Sequence, residues 1–256
     1  MFQWLHSRRA QPARLPRSRR VYAIGDIHGE AVLFQRLLDR IERDSAARGD
    51  AVVQIVLLGD FIDRGPAAAG LMLAFAGAPD PRLVILKGNH EATLVAAYRG
   101  DLDALALWRR FGGLATLRGF GASVADCEVE DPAALLATLH RRIAPDMIDW
   151  LDRLPVAHMV GDYFFTHAGI RPGVAFDAQV EADLLWIRRP FLASRRHHGK
   201  VVVHGHTVDH AAAGIRLGRN RIGLDTGAHE FGRLTALGLE DAEQWTLDVA
   251  DDRVGS

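Results

Sequence analysis

Five short blocks set carboxylates, amides and imidazoles beside glycines, in order along the chain: GDIHG from Gly25, GDFIDRG from Gly59, GNHE from Gly88, THAG from Thr166 and HGHT from His204. Oxygen and imidazole donors with almost no thiolate in reach suit borderline and hard divalent cations. Asp26, His28, Asp60, Asn89, His167 and His206 are enough ligands for two such cations about 3.5 to 4 Å apart, a centre that hydrolyses phosphoric esters. The order and number of the blocks carry this reading, since each block alone is common in surface loops.

Each block has its own chemistry. Asp26 and His28 are two residues apart at a strand end, so both side chains can turn to one cation. Asp60 has two oxygens with which to bridge two cations. Arg64 offers a planar fork that fits phosphate oxygens. Asp63 is left without a cation, and its useful role is to hold an imidazole in one tautomer. Asn89 supplies a neutral amide oxygen, and the adjacent His90 can stand over a substrate as proton donor. Glu91 either hydrogen-bonds behind the ligands or is an acid favoured at a helix N-terminus. His167 and His206 complete the imidazole pair of the second cation.

The elements that must position these residues are legible in the hydropathy pattern. The apolar run Val21–Ile24 stops at Gly25, and Leu33, Phe34, Leu37, Leu38 and Ile41 recur at helical spacing. Val52–Leu58 precedes GDFIDRG and a helix over Ala67–Ala76, and Leu83–Leu86 precedes GNHE. About 30 residues between blocks leave room for one crossover each, as parallel βαβ units require. The three turns then lie at the carboxyl ends of neighbouring strands. Residues 92–154 carry a leucine and isoleucine stripe and read as a helical insertion. Val156–Val160 and Tyr163–Thr166 read as a hairpin, and Val201–Val203, Arg221–Leu224 and Leu234–Leu239 as further strands of a second sheet. The organisation expected is a flexible basic arm over residues 1–20 and a single domain over 21–256.

Composition excludes several classes. The chain has 256 residues and a formal net charge of -1, but residues 1–20 hold six arginines and no acid, which leaves the remainder near -7. A mildly acidic body argues against a nucleic-acid partner. The one cysteine, Cys127, excludes an internal disulfide and a thiolate metal site, and reads as a small buried hydrophobe. No run approaches the roughly 18 apolar residues of a membrane span, and no apolar stretch follows the N-terminal arginines as in a signal peptide. No membrane partner and a cytoplasmic location are therefore expected. Oligomeric state is not legible.

Taken together, the blocks, the segment LLWIR (Leu184–Arg188) and the ending LDTGAHEFGRLTAL from Leu224 resemble the phosphoprotein phosphatase branch of the calcineurin-like metallophosphoesterases, including compact bacterial and phage members such as lambda phosphatase. The resemblance covers Val21 to Leu239. It implies an α/β sandwich of two mixed sheets flanked by helices. It implies that Asp26, His28 and Asp60 hold one metal and Asp60, Asn89, His167 and His206 the other. Arg64 and Arg188 would clamp phosphate, with His90 as general acid, Asp63 as its orienter and Trp186 packed beneath Arg188 as a structural residue. Two divalent ions are the implied cofactors, Mn²⁺ first, with Fe, Zn²⁺ or Co²⁺ also compatible with the donors. Lys87 stands where many relatives have Arg, Val208 where Pro often follows, and His204, His197, His198 and His210 match no ligand position.

The leading functional expectation is hydrolysis of a small phosphoester or of phosphoserine and phosphothreonine in proteins, by in-line attack of a metal-bridging hydroxide. The alternative is a symmetrical bis(5'-nucleosyl)-tetraphosphatase, a related family with the same ligands, whose second block usually reads ARG where this chain reads DRG. A nuclease is disfavoured because Val208, not histidine, follows GHT. A metal-free scaffold would require lost ligands, and none of the six is missing.

Overall fold

In the computed structural model, which describes residues 12–77, 80–208 and 215–251, strand β1 (Arg19–Ile24) is buried on both faces after its first residue. Alternation sends Val21 and Ala23 into one core with Val56, Leu58 and Leu86, and Tyr22 and Ile24 into another with Ile55 and Leu57. A strand apolar on both faces needs a cover on each, and the chain supplies a second sheet on one side and helices on the other. Helix α1 (Ala31–Ala47) buries Leu33, Phe34, Leu37 and Ile41 as it crosses to β2 (Val52–Leu57), and α2 (Ala68–Gly77) crosses to β3 (Leu83–Ile85). The three strands pair in parallel.

Between β3 and the next strand run six helices: α3 (Asn89–Tyr98), α4 (Leu102–Arg110), α5 (Gly113–Gly119), α6 (Val124–Glu128), α7 (Pro132–Arg142) and α8 (Pro145–Asp152). Asp101, Ser123 and Asp131 cap α4, α6 and α7 with their side chains. Leu135, Leu139, Ile143, Ile148 and Leu151 join the same core as α1. Cys127 lies buried there too.

The second sheet starts with the hairpin β4 (Ala157–Val160) and β5 (Tyr163–Thr166), antiparallel as expected. After α9 (Glu181–Trp186), β6 (Val201–His204) runs parallel to β5; β7 (Arg216–Leu217) then leads to β8 (Arg221–Gly223), parallel to β6. After α10 (Ala228–Phe231), β9 (Arg233–Glu240) and β10 (Glu243–Ala250) return to the first sheet. The orders are β10-β9-β1-β2-β3 and β4-β5-β6-β8-β7, two mixed five-stranded sheets. Tyr163, Phe165, Val203, Ile222 and Leu224 of the second sheet fill the layer between them. No helix among the described residues is long and apolar enough to cross a membrane.

The basic arm is shorter than its arginine content suggests. Arg20 is fully buried, with Nε 2.8 Å from Glu240 Oε2 and Nη1 donating to Ser45 O and Gly49 O. A buried guanidinium stays only where its donors are met, and this one ties β1 to the end of α1 and to β9. Arg14 donates to Asp241, and Leu15 is buried against the inter-sheet core. Residues 1–11 of the expected arm, and His210, lie outside the described residues.

Candidate metal centre

The carboxyl ends of β1, β2 and β3 converge with those of β5 and β6, and the glycines allow the approach. The amides of Ile27 and His28 donate to Asp60 O, and the Gly65 amide donates to His28 O. A side chain at Gly65 would stand 2.2 Å from His28 O. His28, Asp60, Asp63, Arg64 and His206 themselves adopt positive φ, between 45° and 66°. Left-handed backbone is costly for residues with a Cβ and marks positions over-determined by their surroundings. The site residues thus share the turning with neighbouring glycines such as Gly29 and Gly59.

Asp60 Oδ2 is the focus. It lies 3.4 Å from His167 Nε2, 3.7 Å from His28 Nε2 and 3.9 Å from His90 Nε2. Two sets of side chains that could each hold an ion share it: His28, Asp60 and His90, and Asp60, His167 and His206. Asn89 Oδ1 joins the second set, 2.7 Å from His167 Nε2 and 2.9 Å from His206 Nδ1.

Protonation fits cations in these places. His28 Nδ1 faces Ile62 O at 3.0 Å and His167 Nδ1 faces Leu58 O at 2.9 Å. A carbonyl accepts only, so both Nδ1 atoms carry the proton and both Nε2 lone pairs point inward. His167 Nε2 then meets Asn89 Oδ1, acceptor against acceptor, which a cation between them would resolve. Burial, reinforced by neighbouring imidazoles, holds His28 well below the ordinary histidine pKa and His206 down to about 3. Burial pushes the Asp60 pKa up, but attraction to His167, His90 and His28 in their protonated forms outweighs it, so that of these groups the carboxylate gives up its proton first. Neutral imidazoles around an ionised carboxylate are the state a divalent ion requires.

Asp26 is in neither set. Its oxygens accept the His206 amide at 3.1 and 3.2 Å. Burial, then Asp225 and Asp60, push its pKa well above the ordinary aspartate value. Asp225 was not singled out in the sequence, although it stands in the LDTG ending; it is raised to about 6, first by burial.

His90 Nδ1 is 2.7 Å from Asp63 Oδ2. Asp63 Oδ1 accepts from Thr116 Oγ1 at 2.6 Å and from Trp108 Nε1 at 3.1 Å. Thr116 and Trp108 come from the helical insertion, and no motif marks them. Arg64 Nη2 reaches His90 Nε2 at 3.2 Å, and Arg188 Nε donates to His206 Nε2 at 3.2 Å. Both arginines are exposed and flank the site. Glu91 resolves toward the hydrogen-bonding alternative: its carboxylate accepts the amides of Asp60, Phe61, Ile62 and Gly88 at 2.7 to 3.2 Å. Burial and Asp60 push its carboxyl up to about 8 while the amides pull the other way; with both oxygens already accepting two donors each, the geometry favours the ionised form.

Lys87 pairs with Glu181 at 3.1 Å and Asp152 at 3.6 Å, joining α8 to α9. His204 is buried, its Nδ1 faces Gly205 O, and it belongs to neither ligand set. His197 and His198 lie in the loop before β6. Trp186, expected beneath Arg188, is 38% exposed, its ring 6.2 Å from that of His206 and 6.4 Å from that of Phe111. The reason is local: Leu184, Leu185 and Ile187 take the buried side of this short segment and leave Trp186 the outer one.

Residues 19–234 match the family model for calcineurin-like phosphoesterases. Among curated relatives, the chain is 30% identical over 154 residues to a symmetrical bis(5'-nucleosyl)-tetraphosphatase of Dechloromonas aromatica, covering 59% of this chain and 44% of the relative. It is 33% identical over 165 residues to the protein of that name from Paracidovorax citrulli, covering 63% and 48%. The chain thus spans about half the length of these relatives. A solved structure provisionally described as a diadenosine tetraphosphatase superposes with a TM-score of 0.61 at 22% identity, covering 92% of this chain and 98% of that one. A cold-active protein tyrosine phosphatase superposes at 0.51 with 17% identity, covering 91% and 81%. At those identities the superpositions speak for the fold.

Proposed function

From the premise that the chain belongs to the calcineurin-like phosphoesterase family, we propose that it hydrolyses a phosphoric ester or anhydride at a two-cation centre. One observation carries this: Asp60 Oδ2 is shared by two converging sets of imidazole ligands. By the family resemblance, Asp26, which stands in neither set, would complete one site with His28 and Asp60 and leave His90 for the substrate, while Asp60, Asn89, His167 and His206 would hold the other ion. Such a pair supplies a water nucleophile at neutral pH and neutralises charge on the phosphorus oxygens. Arg64 and Arg188 flank the imidazoles and would take the remaining phosphate oxygens in bidentate fashion. Asp63 fixes the His90 proton on Nδ1 and favours the imidazolium, so that Nε2, once Arg64 turns to a phosphate, faces the leaving group as proton donor. Glu91 holds the amides of the Asp60 turn and so fixes the bridging carboxylate.

For substrate, the named relatives favour a dinucleoside polyphosphate, and we take a symmetrical bis(5'-nucleosyl) tetraphosphate as the first candidate. The earlier preference for phosphoprotein gains no specific support from them. A second reading, a phosphomonoester with an alkoxide leaving group, is favoured by one contact, Asp63 Oδ2 to His90 Nδ1 at 2.7 Å. A poor leaving group needs protonation most. The deciding experiment is a panel of diadenosine tetraphosphate and phosphoseryl peptides assayed with Mn²⁺ on one preparation. A kcat/KM at least tenfold higher for the tetraphosphate supports the first candidate, and the reverse order supports the second.

A further inference from the structure

We propose that Trp186, backed by Phe111, is a stacking platform for the nucleobase of a nucleoside polyphosphate held at the two-cation centre. Trp186 is anchored by neighbours that are 2 to 7% exposed, while its own indole is 38% exposed. The ring does not face empty solvent. Its centroid is 6.2 Å from His206 at 82°, and 6.4 Å from Phe111 at 38°; Phe111 in turn is 5.7 Å from His90 at 34°. In contact order the rings run His206, Trp186, Phe111, His90, an aromatic rim whose two ends are imidazoles of the two ligand sets.

The occupant follows from what stands beside this rim. Arg188, two residues on, is 3.2 Å from His206 and Arg64 is 3.2 Å from His90, so guanidinium groups flank the rim on both sides. A ligand that satisfies these features joins an anionic chain for the guanidiniums to a planar heterocycle for the indole. A nucleoside polyphosphate has both. A serine or threonine phosphate has no flat group of its own. Base stacking on an aromatic side chain is sequence-tolerant and contributes about tenfold or more to affinity.

This inference rests on the dinucleoside polyphosphate reading and deepens it. The test compares wild type, Trp186→Leu and Trp186→Phe on diadenosine tetraphosphate and on inorganic tripolyphosphate, which has the same P–O–P bonds and no base. The expected result is that Trp186→Leu lowers the ratio of the two kcat/KM values about tenfold, mainly through KM for the nucleotide, and that Trp186→Phe restores most of it. An unchanged ratio, or equal losses on both substrates, overturns the proposal. If wild type instead prefers phosphoseryl peptide, the substrate reading fails by itself. The platform is then judged by inhibition of peptide turnover: an effect of Trp186→Leu on adenosine diphosphate but not on pyrophosphate supports it, and equal effects on the two refute it.

Discussion

Asp63 Oδ2 lies 2.7 Å from His90 Nδ1, and both side chains are buried, at 0 and 2% exposure. Burial pushes the His90 pKa down, yet Asp60 and Asp63 outweigh it and raise it above the ordinary histidine value. In the proposed mechanism this pair equips His90 to act as the proton donor. His90→Asn should therefore lower kcat by about 10² to 10⁴, the usual contribution of general acid catalysis. The loss should be smaller on para-nitrophenyl phosphate than on an alkyl phosphate, because nitrophenolate leaves without a proton. Equal losses on the two would remove the acid role.

Asp63→Asn tests the second half of that relationship. It keeps the shape and the Thr116 hydroxyl but removes the charge. Activity toward an alkyl phosphate should fall about tenfold or more, with metal content unchanged. Thr116→Val should do the same more weakly, since it leaves the carboxylate in place while deleting the 2.6 Å hydrogen bond to Asp63 Oδ1 and the 3.0 Å one from the Asp63 amide. Metal analysis alongside kcat separates this outcome from a collapsed site.

Glu91→Gln replaces one acceptor oxygen with an amide NH₂ among the four backbone donors of Asp60, Phe61, Ile62 and Gly88. Two of those donors then face a donor. The expected destabilisation is about 1 to 3 kcal/mol, the cost of leaving buried polar groups unmet. Thermal melting measures it, and a melting temperature equal to wild type would contradict the role given to Glu91.

Much of this was readable in the sequence, and the reason is spacing. GDIHG, GDFIDRG and GNHE each end an apolar run and precede a helix, so β1, β2 and β3 and the ends that carry Asp26, Asp60 and Asn89 follow from local pattern. Glu91 was left undecided because three of its four partners lie 29 to 31 residues away and are backbone amides, which no side-chain motif records. Thr116 and Trp108 reach Asp63 across 53 and 45 residues, from helices whose polar residues look like any others. Arg20 was misplaced because arginine-rich termini usually remain solvated, and only the fold reveals Glu240 and the end of α1 around it.

Far from the site, Asp44 Oδ2 accepts from Tyr22 Oη at 2.6 Å and Trp245 Nε1 at 2.9 Å, and Arg48 lies over the Trp245 ring. Burial pushes the Asp44 pKa up, but the bonds from Tyr22, Arg48 and Trp245 outweigh it and hold the carboxyl below its ordinary value. A lowered folded pKa gives stability that is present above the unfolded aspartate value near 4 and lost as pH falls through the lowered one. Asp44→Asn should cost about 1 to 2 kcal/mol at pH 7. Its melting temperature should approach that of wild type as the pH is lowered below the aspartate range. A gap independent of pH would contradict the linkage.

The account stands or falls on the shared position of Asp60. The most direct measurement is the number of Mn²⁺ ions bound per chain, by titration of metal-stripped protein followed by elemental analysis, for wild type and Asp60→Asn. The account predicts two ions per wild-type chain and a loss of affinity at both positions in the variant, because one carboxylate serves both. A wild-type chain that binds no more than one ion, or a variant that keeps two with undiminished affinity, would contradict it.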